Sequence, residues 1–440
     1  MLSARSLCCE TLPVTEPIDL LELVGTRIGA PTFYWEEPAR GLTIAACGAA
    51  VEFQASGSRR FQDLSARASA VLSMICPHSL NAGSGGGPLV VGGFGFSDHA
   101  CEAHEWREFP AAWLFLPRLL WVRRGTRTIL TKVWEGGRRE ALDDLLLRPP
   151  VASLSCERVP WRPLELKQPS PCERERWRER VERARSMVLR GALQKVVLAR
   201  RIEIEAPSII NPMPIIDAAR RTRADCFNFW LGREGTSFLG STPELLVRVE
   251  GQTVTSGALG GSAPRSANDE EDRVLGDSLL ASAKNLEEHE YVVSAVRSAL
   301  ESVAGPLYSV ERPRLMRLPE VQHLYTPVQG RLRERRSALE VAGLLHPTPA
   351  VCGVPRQTAR AIIEREEAHR GWYSGAVGWM DTGGGGEFAV ALRSGLIDRN
   401  RMFLWAGAGI VAGSDPEAEF AETETKFSAL FRSPSIGSAA

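Results

Sequence analysis

The 440-residue sequence has no excess of charge of either sign, because 53 Lys and Arg side chains are matched by 53 Asp and Glu side chains. Without a net positive field, a protein lacks the long-range attraction that draws basic proteins to nucleic acids and anionic membranes. The sequence also has no apolar run long enough to cross a bilayer. We therefore expect no nucleic acid and no membrane among its partners.

The nine cysteines are odd in number and show no CxxC spacing, which disfavours a disulfide framework and a structural zinc site. The first 20 residues contain acids and prolines but no apolar core, so they do not resemble a secretory signal. The glycine-rich stretches at 255–264 and 406–414 lack the GxGxxG and GxxxxGK[ST] spacings of nucleotide sites. We predict a cytoplasmic protein without a phosphate-bearing cofactor, whose glycine backbone could approach a small anion such as a carboxylate.

The pattern along the chain changes after about residue 172. Residues 17–165 are mixed, and six prolines between 149 and 171 predict a surface connector over 145–172. The segment that follows repeats apolar residues at helical spacing, and a strand pattern begins near Lys195. Composition alone thus favours two domains, with any chemistry in the second.

Lys195 and Glu244 are the first candidates for proton transfer. Lys195 directly precedes apolar strand residues, where burial would lower its pKa and make it a general base. Its side chain could equally snorkel to water at the strand entrance. Glu244 follows a Gly-Ser-Thr-Pro turn and enters a strand, where an apolar cleft would keep it protonated as an acid. A surface glutamate is the alternative.

Two acidic helical segments could hold a cation. Glu287, Glu288 and Glu290 lie in one, and Glu419 and Glu422 lie three residues apart on one face of the other. Carboxylate oxygens from two such helices suit Mg²⁺, whereas each segment alone is also explained by a solvated helix face.

Three further residues are possible ligands of a small anion or of the ring that carries it. Arg393 ends an alternating apolar run, where a fixed guanidinium could bind a carboxylate through two hydrogen bonds or form a structural ion pair. His323 and His346 suit capping or core roles as well as ligand roles. His346 opens the stiff loop LHPTPAVCGVP (345–355), which holds three prolines.

The order of these motifs resembles that of the chorismate-utilising enzymes, which include anthranilate, aminodeoxychorismate, isochorismate and salicylate synthases. The resemblance covers about residues 172 to 432. The motifs that carry it are LQKVVLARR, FLGSTPELL, TSGALGGSAPR, LLASAKNLEEHEYVV, VQHLYTPVQGRL, LHPTPAVCGVP, WYSGAVGWMD, FAVALRSGLI and GAGIVAGSDPEAEFAETETKF.

The resemblance implies an α+β fold: one large domain with two big antiparallel β-sheets packed together and helices outside. Composition and resemblance therefore disagree on the number of domains. The boundaries we predict are an N-terminal tail at 1–16, the variable half of the fold at 17–165, a chorismate-binding catalytic region at 172–432 and a C-terminal tail at 433–440.

The resemblance also implies roles for individual residues. Lys195 would be the general base and Glu244 the general acid, while Glu288 and Glu422 would bind Mg²⁺ with Glu419 assisting. Asn285 departs from the acidic residue that is frequent at its position, which bears on metal affinity. The substrate-binding residues would be Arg393, Tyr373, Gly407, Gly409, Gly261, Ser262, His323, His346 and Ala350.

The implied reaction is the Mg²⁺-dependent isomerisation of chorismate to isochorismate, by water attack at C2 with loss of the C4 hydroxyl, for menaquinone or siderophore synthesis. The segment ALGGS (258–262) differs from the PIKGT and PIAGT motifs of the ammonia-using branches, so no glutamine amidotransferase subunit is expected. Ala350 stands where salicylate synthases tend to have threonine, which favours a reaction that stops at isochorismate. The alternatives are a salicylate synthase and a non-catalytic chorismate-binding protein, and the resemblance implies a monomer.

Overall fold

The computed structural model describes residues 7–25, 30–79, 86–136, 169–310, 312–367 and 369–431. Twenty strands and nine α-helices lie within these residues. In chain order the strands are β1 (Leu7–Val14), β2 (Thr32–Glu37), β3 (Leu42–Ala55), β4 (Cys76–Ser79), β5 (Leu89–Phe94), β6 (Ala112–Arg124), β7 (Arg127–Glu135), β8 (Lys195–Glu205), β9 (Phe227–Arg233), β10 (Thr236–Thr242), β11 (Leu245–Glu250), β12 (Thr253–Pro264), β13 (Ala304–Ser309), β14 (Arg314–Arg317), β15 (Val321–Leu332), β16 (Gly353–Val354), β17 (Ala376–Asp381), β18 (Gly386–Val390), β19 (Ser394–Asp398) and β20 (Arg401–Ile410). The helices are α1 (Leu20–Gly25), α2 (Arg60–Ser73), α3 (Pro171–Leu189), α4 (Met213–Thr222), α5 (Asp269–Ala281), α6 (Ala283–Glu301), α7 (Ala338–Leu345), α8 (Arg356–Glu366) and α9 (Pro416–Phe431).

The strands form two antiparallel sheets that share β6. On one edge β6 pairs with β3, and from there the first sheet runs through β2, β9, β10, β19, β20 and β8 to β16. On its other edge, the first part of β6 pairs with β5, and the second sheet runs through β17, β18, β11 and β12 to β15. The last part of β6 pairs with β7 and β7 with β1, both antiparallel, and β1 pairs with β4 in parallel.

The two sheets pack face to face over an aromatic core. Its members include Trp35, Trp113, Phe238, Trp379 and Trp405, all buried. A second core fills the space between the second sheet and helices α2, α6 and α7. Helices α1, α4 and α9 cover the outer face of the first sheet. The predicted α+β architecture, with packed antiparallel sheets in one large domain and helices outside, is confirmed, and the shared strand β6 makes the sheets continuous.

Local sequence explains the elements that lead to the candidate site. Ser170 forms a capping box with Glu173 at the start of α3, and Trp177, Val181 and Ala184 are the buried face of that helix. Gly191 then takes a positive φ of 73°, which ends the helical path and directs the chain into β8. The predicted helix and strand on either side of Gly191 are confirmed.

Residues 7–14, expected in an N-terminal tail, instead form β1, because alternate side chains of this segment are buried against the sheet. Most of the connector expected at 145–172 and all of the tail at 433–440 lie outside the described residues. Within the described ranges, no helix is both long and apolar enough to cross a membrane.

Candidate active site

Twelve of the fourteen predicted site residues line one cavity of about 80 Å³. It lies at the start of β8, beside β20, and is closed by side chains of α6 and α9. The twelve are Lys195, Glu244, Gly261, Ser262, Glu288, His323, Ala350, Tyr373, Arg393, Gly407, Gly409 and Glu422. They come from segments up to 227 residues apart in sequence, so the folded sheets bring together groups that no local pattern links.

Lys195 is completely buried, which rules out the snorkelling alternative. Its Nζ lies 2.9 Å from Glu288 Oε1, although the angles are not those of a hydrogen bond. The Glu288 carboxylate is thus a negative charge close enough to balance a buried ammonium group. A Cβ at Gly409 would lie 2.2 Å from Glu288 Oε1 and 3.0 Å from Lys195 Cε. Glycine at 409 therefore makes room for this pair.

Glu244 is also buried, at 2% exposure, and its Oε1 has no hydrogen-bond partner among the described residues. Burial raises the pKa of Glu244 to about 8, although the Lys195 charge and the Thr348 hydroxyl act in the opposite direction. Its backbone carbonyl accepts a hydrogen bond from Val390 N, which fixes the turn between β10 and β11. At neutral pH this carboxyl is therefore protonated and can donate its proton into the cavity.

Three carboxylates face three ammonium groups along α6 and α9. Besides the Lys195–Glu288 pair, Lys284 Nζ lies 2.7 Å from Glu419 Oε1 and Lys426 Nζ lies 2.5 Å from Glu422 Oε1. Burial and the neighbouring charge of Glu422 raise the pKa of Glu419. Burial alone would raise the pKa of Glu422, but Lys426 and more distant cations lower it, so this carboxyl is ionised.

These carboxylates have the donor chemistry of a magnesium site. All three offer hard oxygen atoms from two helices, and the repulsion between Glu419 and Glu422 is what a divalent cation would relieve. Within the described residues, no three acidic, His or Cys side chains are gathered as metal ligands, since each carboxylate is turned to its lysine. Asn285 lies at the start of α6 and its side-chain amide donates to Ser282 Oγ at 2.8 Å. Asn285 thus supports the helix start.

Arg393 and His323 form a cationic corner of the cavity. Arg393 donates from Nη2 to His323 Nε2 at 3.2 Å, so Nε2 is the unprotonated nitrogen and Nδ1 carries the hydrogen. Nδ1 lies 3.1 Å from both the Gly261 carbonyl oxygen and Ser262 Oγ. Burial, reinforced by the Arg393 charge, lowers the pKa of His323 to about 3. His323 is therefore neutral, and it orients the Arg393 guanidinium without electrostatic repulsion between the two side chains.

Tyr373 forms the wall beside this corner, with its ring stacked on Trp405 at a centroid distance of 6.2 Å. Burial raises the pKa of Tyr373 to about 12, so its hydroxyl stays protonated. A protonated phenol and a buried guanidinium are both hydrogen-bond donors. The pair can therefore bind the carboxylate of a substrate.

His346 and Glu419 are the two predicted residues that do not line the cavity. His346 points away from it, with Nε2 3.2 Å from the Phe96 carbonyl oxygen and its ring 5.5 Å from that of Phe61. It follows α7 and joins a cis peptide bond to Pro347. His346 thus holds the loop, and Ala350 in that loop reaches the cavity.

Sequence reasoning missed three basic residues around the site. Lys426 lines the cavity and donates from Nζ to the Gly407 carbonyl oxygen at 2.7 Å, and Lys284 pairs with Glu419. Each lies on a helix beside a predicted acid, and the spacing of Glu422 and Lys426 on one helix face could have signalled that pair. Arg370 is buried and donates to the carbonyl oxygens of Val197 and Val351, both at 2.7 Å. Nothing in its local sequence signals this role.

A larger cavity of about 370 Å³ lies behind Arg370, between Phe96, Phe109 and Trp372. It contains none of the predicted residues. Its buried charges, Glu367 and Arg370, satisfy each other through two hydrogen bonds of 2.7 and 2.8 Å. The smaller cavity, where an acid, an amine and a guanidinium converge, is therefore the better candidate for chemistry.

The family model described as "Chorismate binding enzyme" matches residues 4–433. The chain belongs to the chorismate-binding enzymes. Among the curated members of this family, it is 35% identical over 435 residues to the salicylate biosynthesis isochorismate synthase of Pseudomonas aeruginosa, covering 94% of this chain and 87% of that protein. It is 32% identical to the isochorismate synthase MenF of Bacillus subtilis, covering 93% of this chain and 89% of that protein.

Solved structures of chorismate-binding enzymes have the same fold. The menaquinone-specific isochorismate synthase MenF of Escherichia coli superposes with a TM-score of 0.79 at 28% identity, over 97% of this chain and 94% of that chain. Anthranilate synthase component I of Streptococcus pneumoniae superposes with a TM-score of 0.71 over 89% of this chain and 92% of that chain. At 22% identity, the second likeness supports the fold alone.

Proposed function

We propose that this chorismate-binding enzyme is an isochorismate synthase, which isomerises chorismate to isochorismate. The observation that carries the proposal is a buried carboxylic acid, Glu244, and a buried amine, Lys195, on the wall of one small cavity. An acid that is protonated at neutral pH and a basic group are the two proton-transfer partners that exchange of one hydroxyl for another requires. The relatives named isochorismate synthase support the same reaction.

In this mechanism, Lys195 accepts a proton from the water that attacks C2 of the ring. The ring double bonds shift, the C4–O bond breaks, and Glu244 gives its proton to the departing hydroxyl, which leaves as water. Arg393 and Tyr373 bind the enolpyruvyl carboxylate. Gly261 and Ser262 border the ring, and Ala350 offers an apolar contact that does not assist loss of pyruvate.

Glu288 and Glu422 would hold Mg²⁺, with Glu419 next to them. When bound, the ion would supply positive charge that positions a substrate carboxylate. Glu288 Oε1 also lies 2.9 Å from Lys195 Nζ, so one carboxylate borders both the proposed base and the proposed metal site.

The test is product identification by chromatography after the purified chain is incubated with chorismate and Mg²⁺, without ammonia or glutamine. We expect isochorismate, with one ¹⁸O atom at C2 when the solvent is H₂¹⁸O, and no product in excess chelator. Salicylate and pyruvate would indicate a salicylate synthase. Chorismate binding without turnover under all conditions would indicate a non-catalytic binding protein.

The remaining properties that we propose follow from this function. Isochorismate would enter menaquinone or siderophore synthesis; one solved structure is that of a menaquinone-specific isochorismate synthase. We also propose a cytoplasmic monomer that works without a glutamine amidotransferase subunit. Size-exclusion chromatography with light scattering measures the molar mass and so tests whether the protein is a monomer. Turnover in the absence of any second protein tests whether it works without an amidotransferase subunit.

A further inference from the structure

Three cysteines, Cys8, Cys9 and Cys76, lie where β1 and β4 run side by side. This is the one parallel pairing among the strands of the described residues. Cys8 is the register partner of Cys76, and Cys9 is the partner of Pro77. Neighbouring strands lie about 4.8 Å apart, and disulfides form across Cα separations of about 4.4 to 6.8 Å. The backbone spacing of Cys8 and Cys76 therefore suits a disulfide.

The faces of the sheet single out Cys8, rather than Cys9, as the partner of Cys76. Register partners on adjacent strands project to the same face, and consecutive residues project to opposite faces. Cys8 packs at the edge of the core cluster that contains Trp134, whereas Cys9 is buried in the cluster on the other side of the sheet. Cys8 and Cys76 thus share a face that Cys9 does not.

Accessibility favours the same pair. Cys76 is exposed and Cys8 is half-buried, whereas Cys9 is only 1% exposed. Burial, together with the neighbouring thiols of Cys8 and Cys76, raises the pKa of Cys9. Since the thiolate is the reactive form, both its burial and its raised pKa make Cys9 a poor nucleophile.

We propose that Cys8 and Cys76 are a redox-responsive pair that small-molecule disulfides, such as oxidised glutathione, convert into an intramolecular disulfide. The Cys76 thiolate attacks one sulfur of the reagent, whose S–S bond breaks and releases one thiol. The Cys8 thiolate then attacks Cys76 Sγ and releases the second thiol. The two cysteines lose two electrons to the reagent, and their two protons end on the released thiols.

The cross-link would fasten β4, which within the described residues pairs with β1 alone. β4 follows α2, and α2 packs against α7 through contacts that include the 2.7 Å hydrogen bond between Ser65 and Ser337. Closing the 8–76 segment restricts the unfolded chain, so the oxidised protein should unfold at a higher temperature than the reduced protein.

The test treats the full-length protein with oxidised glutathione, blocks free thiols with an alkylating agent and maps tryptic peptides by mass spectrometry without reduction. We expect one cross-linked species that joins the peptide with Cys8 and Cys9 to the peptide with Cys76, and its loss on addition of dithiothreitol. Cys8 and Cys9 share one tryptic peptide, and Cys76 and Cys101 share the other, residues 68–107, so variants assign both ends of the bond. Cys9→Ser and Cys101→Ser should retain the cross-link, while Cys8→Ser should leave glutathione attached to Cys76.

Thermal unfolding provides a second measurement, with a higher midpoint after oxidation in the wild type and in Cys9→Ser but not in Cys8→Ser. A cross-link that is lost in Cys9→Ser would overturn the pairing. Glutathione adducts without any cross-link, or no reaction at Cys76, would overturn the proposal. None of these outcomes depends on whether the protein converts chorismate.

Discussion

Replacing Glu244 with glutamine keeps the shape of the side chain and removes the proton that titrates. In the wild type, burial raises the pKa of this carboxyl from 4.5 to about 8. Between these values the folded state holds a proton that the unfolded state has released, so the free energy of unfolding falls as pH rises. The contribution of Glu244 to stability is therefore most favourable below pH 4.5 and is lost progressively until the pH passes about 8.

The size of the effect follows from the two pKa values. At about 1.4 kcal/mol per pKa unit, the titration of Glu244 should lower the free energy of unfolding of the wild type by about 4 kcal/mol as the pH rises from about 5 to about 9. Glu244→Gln lacks this cost, since its amide does not titrate. The difference in stability between variant and wild type should therefore move by about 4 kcal/mol in favour of the variant over this range.

Urea unfolding at intervals of pH, followed by fluorescence and circular dichroism together, measures this difference. Glu334→Gln, at an exposed carboxyl, is the matched control and should track the wild type. A stability difference that stays constant with pH would refute the reasoning that Glu244 is held protonated. In the same protein, isochorismate formation should fall by about 10² to 10⁴ fold, because glutamine cannot donate the proton.

Three further perturbations test the rest of the site. Lys195→Ala should lower the turnover of chorismate by about 10² fold or more while substrate binding, measured by calorimetry, changes much less, and unchanged turnover would exclude Lys195 as the base. Gly409→Ala should abolish most activity, because the added Cβ would overlap the Glu288 carboxylate. Gly413→Ala is the control and should remain active, since no atom lies within 4 Å of its Cβ. Equal rates for the two variants would contradict this packing. Arg370→Lys should lower the free energy of unfolding, measured by urea titration, by about 3 kcal/mol. The reason is that lysine cannot form two hydrogen bonds with Glu367 and also reach the carbonyl oxygens of Val197 and Val351. Arg365→Lys, at an exposed position, is the control.

The sequence was sufficient for elements with strong local patterns. The helix around Trp177, the strand after Lys195 and the residues that line the cavity follow from periodicity or from the family motifs. The sequence did not decide whether Lys195 is buried or snorkels, because that depends on β20 and β16, which lie far along the chain and cover β8 on both edges. Burial of an ionisable group is a property of long-range pairing.

The charges of the site were harder to predict than its positions. Glu419 was expected to lie beside a metal cation, whereas in the structure its cationic neighbour is the Lys284 side chain on the opposite helix. His346 was expected at the ring, but its contact with the Phe96 carbonyl oxygen and with the rings of Phe61 and Phe96 holds it on the far side of its loop. Both outcomes depend on side-chain directions that a motif does not encode.

The sharing of β6 by the two sheets has a consequence for attempts to divide the protein. Strands β9 and β17, from the half that carries the cavity, each find a hydrogen-bonding neighbour, β2 and β5, in the other half. A fragment that began near residue 172 would leave these two strands with open edges, which invite pairing between copies. The portion that performs the chemistry is therefore not a detachable module, and a shortened gene product should be recovered as aggregate rather than as a smaller enzyme.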